Sequence, residues 1–462
     1  MQRFAPLTDD RLWTAGPSRA LPGREFVLYW MQITHRAHDN FALNFAIEQA
    51  DALGLPVLVY HGLRQDYPWA SDRFHSFILE GMTDLTRDFA RKGIQYACYL
   101  DTRTDDAAAP DESPLTALAR RAALVVTDWF PTFIMPRQLK ALRRRLDCPV
   151  VAVDSATIIP AKRLGQAYSG ARHIRPALMK ELDDWLLPPE NPEPLHRAQI
   201  ALPFEPTRPT SANIPALVAT CRIDHTVPPA LGWTGGRSAA QQRLAWWVQH
   251  GLPHYLERND PNRDVTSKLS PWLHFGHVSV HEVLLAAKAA GPGEAWEKFL
   301  DETLTWRELA FNLCTHNPKH RTLEAVPDWA RKELRDHESD PRTALYSAET
   351  LERATTGDAL WNACQRAYLR DGWMHNYLRM LWGKSVIGWT EDAARALHIL
   401  EQLNNKYALD GRDPNSYGGI LWCFGKFDRP FYRRPIFGTV RYMSLKAAAT
   451  KFDVKRYIAS HP

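Results

Sequence analysis

The chain has 462 residues, 45% of them hydrophobic and 24% charged, and its formal net charge is +5. This length predicts two or three domains, and the composition excludes an intrinsically disordered protein. The small basic excess permits a polyanionic partner without requiring one. No apolar run is long enough to span a membrane, and the start "MQRFAPLTDDRLW" lacks the basic-then-apolar order of a secretory signal. Six scattered cysteines without a CxxC pair predict reduced thiols in a cytoplasm and no structural zinc.

The first 155 residues alternate between short apolar runs and amphipathic segments. The runs are rich in β-branched and aromatic residues and occupy positions 25–32, 56–62, 94–101, 123–130 and 149–155. Such alternation predicts a doubly wound parallel sheet with helices on both faces. In one amphipathic segment, Ser71 is the expected N-cap and Gly93 the expected C-terminal stop. No GxGxxG motif follows the first run, which disfavours a dinucleotide-binding site of the Rossmann type.

The pattern changes after residue 185. Ten of the 33 prolines fall within residues 186–230, and proline interrupts both helices and central strands. This stretch is therefore predicted to be a linker between an α/β domain (1–185) and an all-helical domain (231–462). Helical periodicity covers 238–258, 270–290, 294–316, 324–335, 358–370, 373–389 and 391–403.

The segment "VTSKLSPWLHFGHVS" (265–279) combines hydroxyl groups with a helix start. Ser270 followed by Pro271 predicts an N-cap and a first helical position, where phosphate binds well, although a well-capped helix alone is the simpler interpretation. Three histidines have helical spacing there and just beyond: His274, His277 and His281. No acidic or cysteine ligand stands nearby, so packing or surface histidines are favoured over a metal site.

Glu302 lies in the middle of the predicted helix 294–316. On an α-helical wheel it shares a stripe with Phe299, Leu309 and Leu313. Burying a carboxylate among apolar groups is unfavourable unless the group is paired or used. A functional and a purely structural Glu302 therefore stand as equal alternatives.

The segment "MHNYLRMLWGKSVIGWT" (374–390) mixes the apolar content of a core helix with polar side chains. One predicted face carries Asn376, Arg379, Met380 and Gly383, and another carries His375, Leu378, Trp382 and Trp389. The first face has the character of a pocket wall, and Gly383 is unfavourable in a helix unless something approaches the backbone closely. For the tryptophans alone, core packing is the favoured interpretation.

Two later segments also carry candidate binding groups. The turn-rich "LDGRDPNSYGG" (409–419) supplies Asp410, Asp413 and Asn415, either for a ligand or for tight turns. The segment "WCFGKFDRPFYRRPIFGTVRYM" (422–443) interleaves arginines with aromatic residues. This pattern fits phosphate neutralisation and base stacking, and also an ordinary solvated basic surface.

Six stretches together resemble the photolyase/cryptochrome flavoprotein superfamily, and most closely the class II cyclobutane pyrimidine dimer photolyases. They are "YWMQITHRAHDNFAL" (29–43), "LSPWLHFGHVS" (269–279), "LWNACQ" (360–365), "MHNYLRMLWGK" (374–384), "LNNKYALDGRDPNSY" (403–417) and "RPIFGTVRYM" (434–443). They follow the family's order over nearly the whole chain. The resemblance implies an α/β antenna-type domain, a long linker and an all-helical domain that binds FAD.

The resemblance also implies a function, light-driven DNA repair. In this family, blue light excites fully reduced, anionic FAD, and an electron passes to a cyclobutane pyrimidine dimer flipped out of UV-damaged DNA. The dimer splits and the electron returns. A deazaflavin or folate antenna chromophore is compatible with the family. A monomer without membrane contact is expected, located in the cytoplasm and associated with the nucleoid in a prokaryote.

The resemblance assigns roles to individual residues. For FAD it points to Tyr255, Ser267, Leu269, Ser270, Asn376, Arg379, Asp410, Asp413 and Asn415, with Arg379 and Asp410 as an ion pair beside the isoalloxazine. As catalytic residues it points to Glu302 at the dimer, Asn404 at the flavin N5 nitrogen, and an electron relay of Trp361, Trp382 and Trp389. For DNA and the lesion it points to Arg258, Trp306, Met380, Trp422, Arg429, Phe431 and Arg441.

The chain departs from the family pattern at Phe431, where many relatives have a tryptophan in the loop that enters the gap left by the flipped dimer. The main alternative function is a cryptochrome-like blue-light photoreceptor that binds FAD without repair. A repair enzyme for the (6-4) photoproduct is a second alternative. That chemistry is associated with active-site histidines, and the sequence offers no clear pair in the matching loop.

Overall fold

A six-stranded sheet forms the core of the first part of the chain in the computed structural model, which describes residues 3–14, 19–103 and 113–462. The strands are β1 (Leu12–Thr14), β2 (Phe26–Trp30), β3 (Val57–Leu63), β4 (Gln95–Leu100), β5 (Ala122–Asp128) and β6 (Val150–Val153). Their order is β1-β6-β5-β2-β3-β4, and every pairing is parallel except that of β1 with β6. The predicted parallel sheet is confirmed, with β1 as an unpredicted antiparallel edge strand.

Helices cover both faces of this sheet, as predicted. They are α1 (Phe41–Leu53), α2 (Asp72–Lys92), α3 (Pro114–Arg121) and α4 (Met135–Arg145). A fifth helix, α5 (Ala171–Trp185), packs against residues 301–306 of the helical part. Successive residues of a strand point to opposite faces. Val27 and Tyr29 therefore belong to the apolar cluster with α1 and α2, whereas Phe26 and Leu28 belong to the cluster with α3 and α4. Because both faces are covered, the strands read as continuous apolar runs.

The rest of the chain is helical. Its helices are α6 (Ile214–Ala219), α7 (Arg237–His250), α8 (Ser270–His274), α9 (Val280–Ala289), α10 (Glu294–Leu300), α11 (Arg307–His316), α12 (Asp328–Asp336), α13 (Ala348–Glu352), α14 (Ala359–Asp371), α15 (Asn376–Gly388), α16 (Ala393–Tyr407), α17 (Pro414–Cys423) and α18 (Val454–Ser460). A π-helical turn, Asp301–Trp306, joins α10 to α11. Across the part of the chain that the structure describes, no helix has the length and apolarity to cross a bilayer.

Ser71 occupies the N-cap of α2 as predicted, although its side chain makes no capping hydrogen bond. Two other expectations about helix ends were wrong. The N-cap of α8 is Leu269, and Ser270 is the first helical residue. The predicted helix 270–290 is interrupted between α8 and α9, where Gly276 has φ +69° and a Cβ there would lie 2.3 Å from the Ile33 carbonyl oxygen. The close approach of the sheet's loop therefore ends the helix and requires glycine.

Arg73 on α2 ties the first part of the chain to the helical part. Its buried guanidinium donates hydrogen bonds to the carbonyl oxygens of Pro228, Tyr368, Leu369 and Tyr407, at 3.1, 2.8, 2.7 and 2.6 Å. Three of these carbonyls lie in the last turns of α14 and α16, where a cation is favourable and few backbone donors remain.

Replacing Arg73 with methionine keeps an unbranched apolar chain but leaves these carbonyls buried without a donor. We expect Arg73→Met to lower the free energy of unfolding by about 3 kcal/mol in urea titrations. The control is Arg91→Met on the same helix, an exposed arginine that lies 3.8 Å from Asp88, with an expected change within about 0.5 kcal/mol. Equal losses in the two variants would contradict this role for Arg73.

Candidate functional site

A cavity of about 580 Å³, here called the helical cavity, opens among α8, α10, α11 and α14–α17. Its volume lies in the range of cofactor sites, roughly 300–1,000 Å³. The sequence-predicted residues that line it are Tyr255, Arg258, Ser267, Leu269, Ser270, Glu302, Trp306, Asn376, Arg379, Met380, Trp382, Asn404, Asp410, Asp413, Asn415, Trp422 and Arg441. Four other predicted site residues lie outside its walls: Trp361, Trp389, Arg429 and Phe431.

An ion pair marks one part of the cavity wall. Arg379 Nη2 lies 2.9 and 2.8 Å from the two carboxylate oxygens of Asp410, and Arg379 Nε donates to the Met374 carbonyl oxygen at 2.9 Å. Asp410 is buried. A buried pair is unfavourable to break, because the remaining charge would be left without a partner. The pair therefore holds α15 against the loop that follows α16.

The segment before α8 presents its polar groups to the cavity because α7 holds its backbone. Arg243 donates to the carbonyl oxygens of Thr266 and Ser267 at 2.7 and 2.8 Å, and the Trp247 indole donates to that of Val265 at 2.8 Å. These bonds hold the segment in place; Ser267 Oγ accepts from the Leu269 N–H at 3.5 Å, and Thr266 Oγ1 has no partner among the described residues.

Among the described residues, three buried polar atoms in the cavity wall have no hydrogen-bond partner. They are Thr266 Oγ1, Arg307 Nη1 and His375 Nε2, and all three residues line the cavity. Buried polar groups in proteins are nearly always hydrogen-bonded. Burial lowers the pKa of His375 to about 4, so its ring is neutral near pH 7. These atoms are suited to a ligand with polar groups of its own.

Asp413 stabilises the local structure through hydrogen bonds of both its carboxylate oxygens. One of its oxygens accepts from the backbone N–H and the side-chain amide of Asn415 at 2.9 and 2.8 Å, which caps α17, and the other faces His274 Nδ1 at 3.1 Å. The predicted tight turn is present, and the same turn lines the cavity.

Glu302 differs from its expected environment. It is 31% exposed, and its Oε1 lies 2.8 Å from Lys298 Nζ and 3.5 Å from Arg258 Nε. The expectation of a carboxylate buried on an apolar stripe was wrong, because the π-helical turn changes the helical phase after Glu302. The cavity is consequently lined by Arg307 and Ala310, instead of Leu309 and Leu313. The i,i+4 spacing of Lys298 was a sequence signal for its pairing with Glu302.

Aromatic rings form another wall. The indoles of Trp306 and Trp422 stack with ring centroids 4.4 Å apart and 16° between planes. Trp422 Nε1 donates to Asp428 at 2.8 Å, which fixes its orientation. Beyond this wall, Arg429 and Phe431 lie on an exposed loop, where 41% of Phe431 is accessible.

The three predicted relay tryptophans form a continuous chain of rings. Trp382 lines the cavity, Trp361 is fully buried 6.3 Å from it, and Trp389 lies 5.7 Å beyond Trp361. Half-buried Tyr346, which sequence analysis missed, extends the chain by a further 5.3 Å. The Trp382 indole N–H donates to Gln365 at 3.0 Å. Core packing and a relay are both compatible with this geometry.

His274, His277 and His281 are buried, and His274 also contacts Asp413. Burial lowers the pKa of His274, His277 and His281, so all three are neutral near pH 7. In the described ranges, no group of three or more histidine, cysteine, aspartate or glutamate side chains is placed to hold a metal ion.

Lys384 lies behind the cavity wall on α15. It is 1% exposed, Nζ donates to the Cys423 carbonyl oxygen at 2.6 Å, and burial lowers its pKa to about 8. The neighbouring Gly383 permits this close packing, because a Cβ there would lie 2.6 Å from Cys423 Sγ. The close approach predicted at Gly383 is thus made by α17.

Comparisons with known proteins identify the family of the chain. The DNA photolyase family profile matches residues 27–193. A relative from Methanothermobacter thermautotrophicus, named deoxyribodipyrimidine photo-lyase, is 35% identical over 94% of each chain. A relative of the same name from Oryza sativa is 33% identical, and the match covers 97% of this chain and 90% of the relative. A bacterial class III photolyase structure from Agrobacterium tumefaciens superposes with a TM-score of 0.71 at 20% identity, covering 96% of this chain and 87% of its own. The chain belongs to the DNA photolyase family.

The buried Lys384 predicts a pH-dependent stability. The folded chain loses the lysine proton near pH 8, whereas the unfolded chain keeps it up to about pH 10.5. The unfolded state therefore binds more protons in this window, and stability rises with pH. Relative to Lys384→Met, the free energy of unfolding of the wild-type chain should rise by about 2–3 kcal/mol between pH 7.5 and pH 10, as measured by urea titration. A Lys332→Met control, altered at an exposed residue, should follow the wild-type slope; a Lys384→Met slope equal to the wild-type slope would contradict the assignment.

Proposed function

We propose that this protein is a class II cyclobutane pyrimidine dimer photolyase, which repairs UV-damaged DNA with reduced FAD under blue light. The observation that carries the proposal is one cavity that combines the Arg379–Asp410 ion pair, the Asn404 amide and the start of a tryptophan chain. The enzymes named deoxyribodipyrimidine photo-lyase that match over nearly the whole chain support the same activity.

The residues of the helical cavity fit FAD. The hydroxyls of Ser267 and Ser270, with the unpartnered Thr266 Oγ1 and His375 Nε2, would hold its polar groups. The ion pair of Arg379 would favour a negatively charged ring system nearby. When bound, reduced FAD supplies a light-excited electron that splits the dimer and afterwards takes it back.

The cavity's mouth is suited to a flipped base. The stacked Trp306 and Trp422 provide an apolar wall for a pyrimidine dimer, while Glu302 contacts the base edge. Four arginine and aromatic side chains at or beyond the mouth would contact the strand: Arg258, Arg429, Phe431 and Arg441. Arginine neutralises phosphates, and an aromatic ring fills the gap that the flipped nucleotides leave.

The ring chain serves as the electron relay. Its ring-to-ring distances define the order Trp389, Trp361, Trp382, from the half-buried end to the cavity. An electron entering at Trp389 from an external reductant reaches the cavity wall in two short steps. Trp361 is fully buried, and its indole N–H is bound by the Trp382 carbonyl oxygen at 3.0 Å, so it passes charge on without contact with water.

A second cavity of about 360 Å³, here called the sheet cavity, lies at the carboxyl ends of β2–β4. Ligands of such sheets bind in this position. Gln32 Oε1 and His35 Nδ1 are buried in its wall without partners, which fits a ligand with polar ring atoms. We assign it to an antenna chromophore, a deazaflavin or a folate. A Sulfolobus tokodaii photolyase of the same fold, with a TM-score of 0.64 at 16% identity, was solved with two FAD molecules and an implied light-harvesting cofactor.

We also propose the domain division expected from the sequence, with boundaries at residues 185 and 230, which places the helical cavity within the second domain. We further propose a monomer in the cytoplasm, nucleoid-associated in a prokaryote. The six buried free cysteines suit a reducing compartment.

The purified holoprotein should repair a DNA oligonucleotide with one thymine dimer under blue light and leave it unrepaired in the dark, as measured by chromatography of the strand.

Glu302→Gln keeps the side chain's size but removes the negative charge beside Lys298 and Arg258. We expect its repair yield to fall severalfold, while its DNA affinity is unchanged or higher. A protein with fully reduced flavin that binds the oligonucleotide but leaves the dimer intact in light would exclude repair and favour the photoreceptor alternative.

Trp382→Phe should abolish the light-driven reduction of oxidised flavin, because phenylalanine is much harder to oxidise than tryptophan. Repair should persist once the flavin is reduced chemically. Absorption spectra under blue light with an external thiol measure the first effect, and the dimer assay measures the second. Trp246→Phe, at an exposed tryptophan outside both cavities, is the matched control and should photoreduce normally. Loss of both activities in Trp382→Phe would contradict the relay.

A further inference from the structure

We infer that Tyr368 is a positioning residue that fixes the Asn404 amide and thereby lowers the reduction potential of the flavin. The inference rests on the proposed function, in which Asn404 faces the flavin N5 nitrogen. Tyr368 is fully buried on α14 and lines the helical cavity. No motif in the sequence singled it out.

The hydrogen-bond network determines which way the Asn404 amide points. The backbone N–H of Arg412 can only donate, and it lies 2.8 Å from a side-chain atom of Asn405, which must therefore be the oxygen. The same oxygen lies 3.1 Å from Asn404, so Asn404 presents its Nδ2 to it. Asn404 Oδ1 consequently faces Tyr368, whose hydroxyl lies 3.2 Å away. Since a carbonyl oxygen only accepts, Tyr368 is the donor.

The tyrosine remains a donor at every working pH. Burial raises the pKa of Tyr368 well above its usual value, although the guanidinium of Arg379, 5.5 Å from the ring, acts in the opposite direction. An edge contact with Trp382 at 5.4 Å holds its ring, and a hydrogen bond from Arg73 to its carbonyl oxygen at 2.8 Å holds its backbone. These contacts therefore hold the Tyr368 hydroxyl against the Asn404 amide.

Once both ends of the amide are bound, Asn404 has one N–H and one lone pair left for the cavity. Donation from Tyr368 polarises the amide, which strengthens the remaining N–H as a donor and weakens the oxygen as an acceptor. Oxidised flavin accepts a hydrogen bond at N5, whereas reduced flavin donates one. The tyrosine thus favours the oxidised form, which makes the bound flavin harder to reduce and a stronger electron donor once reduced.

The test is Tyr368→Phe, which removes the hydroxyl and keeps the ring. At a fixed poised potential, the ratio of reduced to oxidised flavin in the holoprotein should rise by about twofold to fivefold, read from the absorption spectrum. Tyr457→Phe is the matched control, a buried tyrosine bonded to Cys364 and outside both cavities. It should leave the ratio unchanged.

A double-mutant cycle separates action through Asn404 from a general effect of the substitution. In an Asn404→Leu background, adding Tyr368→Phe should no longer change the ratio. An unchanged ratio in Tyr368→Phe alone, or an equal rise in both backgrounds, would overturn the inference while leaving the proposed function intact. A wild-type protein that binds no FAD would overturn both.

Discussion

The buried guanidinium of Arg73 joins the sheet to the helices that carry the site. Its carbonyl partners close the ends of α14 and α16, so one side chain sets the relative position of both helices. Tyr368 lies at the bound end of α14, and Asn404 lies in the last turn of α16. Asp410 follows directly and meets Arg379. The cavity's polar groups therefore depend on a contact outside its walls, made by a helix of the first part of the chain.

The elements that the sequence predicted well are those whose physical cause is local. Strands β2 to β6 are apolar because they are covered on both faces, and this leaves a continuous pattern along the chain. Gly93 ends α2 in the left-handed conformation that glycine tolerates. The break between α8 and α9 could not be found in the same way. Its cause is the backbone near Ile33, more than two hundred residues earlier in the chain. Strand β1 was also missed, because three residues are too short for a pattern.

In the candidate site, too, features with a local cause were predicted and features that depend on distant residues were missed. Most of its lining residues were found by resemblance, since the motifs carry them together. Residue patterns alone gave a pocket-like face on α15 and left Glu302 ambiguous. Tyr368 was missed because its partner belongs to another helix, and nothing in either local pattern connects the two. The orientation of an amide is likewise a property of the whole network, here fixed by one backbone N–H of Arg412.

The π-helical turn Asp301–Trp306 adds about one residue to a helix that otherwise runs on from α10 into α11. Because each added residue turns a helix by about 100°, the turn realigns Arg307 and Ala310 with Lys298 and Glu302. The number of residues in this turn is therefore a structural requirement in its own right. Deleting one residue would restore a regular helix and rotate one half of this wall away from the other.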